Sequence, residues 1–170
     1  MNLSRLPDPP PDSRIDSRGK PPRVVLDTSV VVTALMFGGG PAARLREAWQ
    51  SGHCRPMVCK ATMLDLGANL AHPHLGLLPQ EQRQLLGDYL PYTLKVRVAQ
   101  ADADAAPDGA TAAMAFVRLS MAGQAHALVT GDATLLALGS KLHCPVLALN
   151  HFIDQLDRMA ITPLPRRSRF

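Results

Sequence analysis

The sequence predicts an α/β domain with a central, mostly parallel sheet of about five strands covered by helices on both faces, and three observations predict it. Short apolar, β-branched runs recur along the chain: "RVVLD", "RPMVC", "TLKVRV", "HALVT" and "PVLAL". Segments with apolar residues at helical spacing lie between them, and parallel strands need such crossovers. With 170 residues and 46% apolar composition, the chain has the length and the material for one real core.

Each element has its own local reason. Residues 1–22 hold six of the fifteen prolines and little apolar periodicity, so they are expected to be a flexible Pro/Arg-rich tail. The domain is expected over residues 23–160, with residues 161–170 a basic C-terminal tail. "RVVLD" is a buried strand, and "SVVVTALMF" starts a helix with Thr28 or Ser29 as cap that the glycines at 38 to 40 stop. "PAARLREAWQSG" has proline at a first helical position, Leu45 and Trp49 four apart, and a closing glycine. After the strand "RPMVC", "KATMLDLGANLAH" is a helix that Pro73 must end. "LPQEQRQLLGDYL" gives another helix, and "TLKVRV" alternates like a half-buried strand. "DGATAAMAFVRLSMAG" is a long helix closed by Gly123, with Met114, Val117 and Met121 on its expected buried stripe. The strand "HALVT", the helix "DATLLALG", the strand "PVLAL" and the helix "NHFIDQLDRM", capped by Asn150, complete the chain.

Charge and cysteine usage narrow the function classes. The net charge of +4 sits in the tails: residues 1–23 carry +2, residues 24–160 carry −1 and residues 161–170 carry +3. Such ends either stay solvated or touch RNA phosphates without sequence preference. No run of eighteen residues is free of charges and turn formers, and "DPPPDSRIDSR" stands where a secretory signal would need an apolar region, so a cytoplasmic protein without membrane partners is expected. Cys54, Cys59 and Cys144 lack paired spacing and read as buried free thiols. His53, His72, His74 and His143 lack the usual zinc spacings.

The acidic residues are more informative. Ligands of parallel sheets bind outside the carboxyl ends of the strands. Asp27 ends the first strand and Asp132 follows "HALVT", so both belong to one edge of the sheet. In the helix after "RPMVC", Met63, Leu66 and Leu70 mark the buried stripe. Asp65 lies off that stripe with Ala61, Thr62, Ala68, Asn69 and His72, either as a cleft wall or as an ordinary surface acid.

Taken together, "VVLDTSVVVTALMFGGGPAARLREAW", "ALVTGDATLLALG" and "PVLALNHFIDQL" resemble the PIN-domain ribonucleases, especially the bacterial toxin components of toxin–antitoxin pairs. The resemblance runs from about Arg23 to Leu156. It implies a PIN-like α/β/α sandwich, an acidic metal site at the strand carboxyl ends and hydrolysis of single-stranded RNA. On this resemblance Asp27, Asp65 and Asp132 are the catalytic, metal-binding acids, with Ser29, Thr28 and Thr130 supporting them. It also implies a cognate antitoxin and a homodimer.

The chemistry suits that assignment. Crowded carboxylates repel one another, and Mg²⁺ or Mn²⁺ relieves the repulsion while binding oxygen well. Two such ions about 3.5–4 Å apart can serve in-line hydrolysis of a phosphodiester without a covalent intermediate. The departure comes where relatives carry an acidic cluster, since an ungapped count puts Ala112, Ala113 and Met114 there. Asp108, a further metal ligand or simply a helix cap, lies about one turn away, ~5.4 Å of helix rise. Asp102 and Asp104 are loop candidates. Two functions follow: a metal-dependent endoribonuclease of the toxin type, weakened by the lost acid, or a catalytically degenerate PIN domain that binds RNA or protein. A phosphotransferase of the haloacid dehalogenase type would need an acid where Ser29 stands.

Overall fold

A computed structural model describes residues 15–99 and 109–161. The five predicted strands form at Arg23–Leu26 (β1), Arg55–Val58 (β2), Leu94–Lys95 (β3), Ala127–Val129 (β4) and Val146–Leu147 (β5). Among the described residues seven α-helices accompany them: Thr28–Met36 (α1), Gly40–Gln50 (α2), Lys60–Leu70 (α3), Pro79–Gly87 (α4), Gly109–Ala122 (α5), Ala133–Ala137 (α6) and Leu149–Ile161 (α7). The strands pair in the order β3-β2-β1-β4-β5, and every pairing is parallel.

Alternation along β1 divides the core between the two faces of the sheet, as the period of two requires. Val24 and Leu26 pack on one face with Val31, Leu45, Trp49 and Phe152 from α1, α2 and α7. Val25 packs on the other with Met57, Phe116, Leu119 and Leu135. Both layers are closed, so β1 is buried on either side, as a continuous apolar run predicts. Cys54, Cys59 and Cys144 are buried free thiols, as expected. Among the described residues no helix is long and apolar enough to cross a membrane.

The topology places the site. From β1 the chain moves toward β2 and β3, whereas from β4 it moves the other way to β5. The connections after β1 and β4 therefore diverge and open a crevice at the carboxyl edge between them, the position where such sheets bind ligands. Asp27 follows β1 there, and Thr130, Gly131 and Asp132 follow β4.

Several local expectations are corrected. The cap position of α1 is held by Asp27 rather than Thr28 or Ser29, because the Asp27 carbonyl accepts from Val30 and Val31 N–H. "TLKVRV" contributes only two strand residues, in keeping with its place at the edge of the sheet. Helix α7 starts at Leu149, so Asn150 lies inside it. On α5, Met114 and Met121 are exposed, and the buried face is formed by Phe116, Val117, Leu119 and Ser120. Of the segment expected as a tail, residues 15–22 pack on the domain: the Ile15 N–H donates to Gln155 Oε1 at 2.8 Å, and the Pro22 carbonyl accepts from Arg55 N–H. Residues 1–14 and 162–170, and with them most of both expected tails, lie outside the described residues.

Candidate metal and nuclease site

The crevice at the carboxyl edge is a cleft of about 460 Å³. Asp27, Asp65 and Asp132 line it together, with Ser29, Asn69 and Phe116 among its other walls. Each acid reaches it from a different element. Asp27 stands between β1 and α1, Asp65 midway along α3, and Asp132 at the start of α6.

The carboxylates are held by threonine hydroxyls. Asp27 occupies a cap position, yet its side chain makes no capping bond to α1. Instead the Thr130 hydroxyl donates to Asp27 Oδ2 at 2.7 Å, and the same hydroxyl oxygen accepts from Asp132 N–H at 3.0 Å. One buried side chain thus fixes the first acid and the backbone of the third. The Thr28 hydroxyl donates to Asp65 Oδ2 at 2.5 Å, joining the start of α1 to the middle of α3. Thr28 and Thr130 are buried, so neither bond has to compete with bulk water at the threonine. Asp132 spends one oxygen on capping, since its Oδ1 accepts from Thr134 N–H at 2.7 Å.

Electrostatics favours a cation here. Three carboxylates face one cleft, and among the described residues no basic side chain lines it. The amino end of α1 places partial positive charge beside Asp27, which offsets only part of that density. Asp27 and Asp65 each keep Oδ1 without a hydrogen-bond partner among the described residues, and Asp132 keeps Oδ2. Such an all-oxygen donor set suits Mg²⁺ or Mn²⁺. The three acids share the cleft without closing on one point, because among the described residues no three His, Cys, Asp or Glu side chains stand close enough to hold one ion.

The family model of the PIN domain matches residues 23–134. The chain belongs to the PIN-domain family. A comparison with curated proteins finds no match. The matched span covers β1 through the start of α6, and so contains Asp27, Asp65 and Asp132.

Ala112 and Ala113, two of the three positions that the ungapped count assigned to the acidic cluster, do line the cleft. Met114 does not; it is exposed on the outer side of α5. The stretch of helix that the count indicated therefore faces the cleft in part, with alanines at the facing positions. Asp108, Asp102 and Asp104 lie outside the described residues. Ser29 lines the cleft, but among the described residues its hydroxyl makes no hydrogen bond, so the bracing expected of it falls to Thr28 and Thr130. Sequence reasoning gave no role to Asn69, whose side chain donates to the Asp65 carbonyl at 2.8 Å while lining the cleft. The signal was present, because Asn69 is four residues from Asp65 and so shares its helix face.

Proposed function

We propose that this PIN domain is a divalent-metal-dependent endoribonuclease of the toxin type, hydrolysing phosphodiester bonds of single-stranded RNA. The observation that carries the reading is the shared cleft of Asp27, Asp65 and Asp132 at the point where the sheet's connections diverge. Asp27, Asp65 and Asp132, which do not close on one point, would hold Mg²⁺ or Mn²⁺ singly or in pairs with water completing the coordination, and the bound ion would supply charge neutralisation and Lewis-acid polarisation of the phosphate. Thr130 and Thr28 keep the Asp27 and Asp65 carboxylates in fixed orientations, so that little reorganisation is left to the moment of reaction. The toxin assignment, with a cytoplasmic setting, a cognate antitoxin and a homodimer, rests on the resemblance carried by "LDTSVVVTAL" and "LVTGDATLL".

Ala112 and Ala113 favour a second reading, a degenerate PIN domain that binds RNA or protein without cutting. One experiment separates the two. Labelled single-stranded RNA is incubated with the full chain in Mg²⁺ or Mn²⁺, alongside Asp27→Asn and Ala113→Asp. Cleavage by wild type that Asp27→Asn reduces to background supports the nuclease. A wild type without cleavage that gains it in Ala113→Asp supports a degenerate site. Cleavage undiminished in Asp27→Asn would overturn the assignment of this cleft.

A further inference from the structure

A parallel sheet collects all its strand starts on the edge opposite the cleft. At that amino edge the chain begins β1 with Arg23 and β2 with Arg55, and the register pairs these two residues directly. Neighbouring strands are about 4.8 Å apart, so two like charges are set side by side, an arrangement that costs stability unless something uses it. Lys20 and Arg18, both exposed, sit in the turn that leads into β1, where Lys20 N–H donates to the Ser17 carbonyl.

Among the described residues no carboxylate forms an ion pair with any of these cations. The ion pairs among the described residues are Arg44 with Asp157 and Arg46 with Asp88, and both lie elsewhere. The Arg23 guanidinium is held by neutral acceptors, the carbonyls of Gly123 at 3.2 Å and Gln124 at 2.9 Å, which fix the group without cancelling its charge. The exposed Arg55 and Lys20 side chains have no partner among the described residues. Asp16 is the acid nearest in sequence; its Oδ1 accepts from Arg18 N–H and its charge reaches His126 beside Arg23, so it offsets one of the four positive charges and leaves the edge net basic. Interfaces between proteins centre on buried apolar anchors; near this edge the exposed Met121 stands at the end of α5, beside the Gly123 and Gln124 carbonyls that hold Arg23, while the exposed Phe37, Leu64 and Leu78 lie on other segments.

We propose that the amino edge of the sheet, with Arg18, Lys20, Arg23 and Arg55, is a phosphate-binding surface for single-stranded nucleic acid, separate from the acidic cleft. Phosphates are repelled by a cleft of three carboxylates and attracted by this edge, and arginine's planar fork suits their oxygens. The surface stands whether or not the cleft cuts. Its test is the binding of a fluorescein-labelled single-stranded RNA oligonucleotide to the full chain in EDTA, titrated over salt concentration. Replacing Lys20 and Arg55 together by alanine should weaken binding and flatten the plot of log affinity against log salt by about 1.4, at about 0.7 for each phosphate that is no longer neutralised. Arg55→Lys should keep the slope within the error of wild type, and Arg83→Ala, on the exposed side of α4, should leave it unchanged. Wild-type affinity and slope in the double variant would overturn the proposal, as would a wild type with no salt-dependent binding. Displacement of the RNA by poly-glutamate of matching length at equal charge concentration would overturn it in favour of an acidic protein partner.

Discussion

Thr130 shows how much of the site depends on one hydroxyl. It is fully buried, donates to Asp27 and accepts from the backbone of Asp132. Thr130→Val keeps the shape and removes both bonds, leaving the Asp132 N–H without its acceptor. We expect a loss of about 1–3 kcal/mol in urea unfolding, the cost of stranding a polar group, together with weaker Mn²⁺ binding; Thr130→Ser should restore most of both. Asp27 and Asp132 stood out because a carboxylate is out of place after a buried strand, whereas spacing alone left Asp65 either a cleft wall or a surface acid. The threonine clamps were not legible, since Thr28 and Asp65 are 37 positions apart and Thr130 and Asp27 are 103 apart. The thiols allow a second check at this scale. Burial pushes Cys54 up to about 12 and Cys144 up to about 11, so neither holds much thiolate at neutral pH. A chromogenic disulfide reagent at pH 8 should leave both unmodified in the native protein and label them promptly in denaturant.

Among the elements, α2 shows which face of a helix carries stability. Its buried residues Ala42, Leu45, Ala48 and Trp49 follow the three-and-four spacing that the sequence displays. Leu45 is fully buried, and Trp49 adds a hydrogen bond from Nε1 to the Asp88 carbonyl at 3.1 Å and an edge contact with Tyr89. Leu45→Ala should therefore cost about 2–5 kcal/mol in equilibrium unfolding. Helix α5 was harder to read for a physical reason. It is apolar almost all round, so more than one stripe satisfies the helical period. Met114, Arg118 and Met121 share a face at spacings of four and three, and the exposed Arg118 marks that face as the solvent side. The strand order, by contrast, depends on pairings between distant segments that no local pattern encodes. Alternating strands and helices announced a parallel sheet, and only the fold shows that the connections diverge between β1 and β4.

Acid should loosen the whole molecule in two steps, because two groups that bind distant segments titrate in different ranges. His126 ties β1 to the approach of β4: its Nδ1 accepts from Arg23 N–H at 3.0 Å, and its backbone N–H donates to the Arg23 carbonyl at 2.7 Å. Partial burial and the neighbouring Arg23 charge hold the imidazole below its ordinary 6.5, with Asp16 opposing them weakly. A folded pKa below the unfolded one means that the unfolded chain takes up the proton first. Stability is therefore complete above pH 6.5 and is lost as pH falls through the folded value. Asp157, paired with Arg44 between α7 and α2, is held below its ordinary 3.8 by that partner's hydrogen bond and charge. By the same sign its contribution is present above pH 3.8 and disappears below it. The Asp157 side chain is 45% exposed, so the second step should be small, whereas His126 is half-buried. Urea midpoints measured from pH 8 to pH 3 should decline first below pH 6.5 and again below 3.8. In His126→Asn, whose side-chain oxygen can take the Nδ1 role without titrating, the first decline should vanish and the second remain. A first decline that persists in His126→Asn would show that the amino edge is not where the molecule senses mild acid.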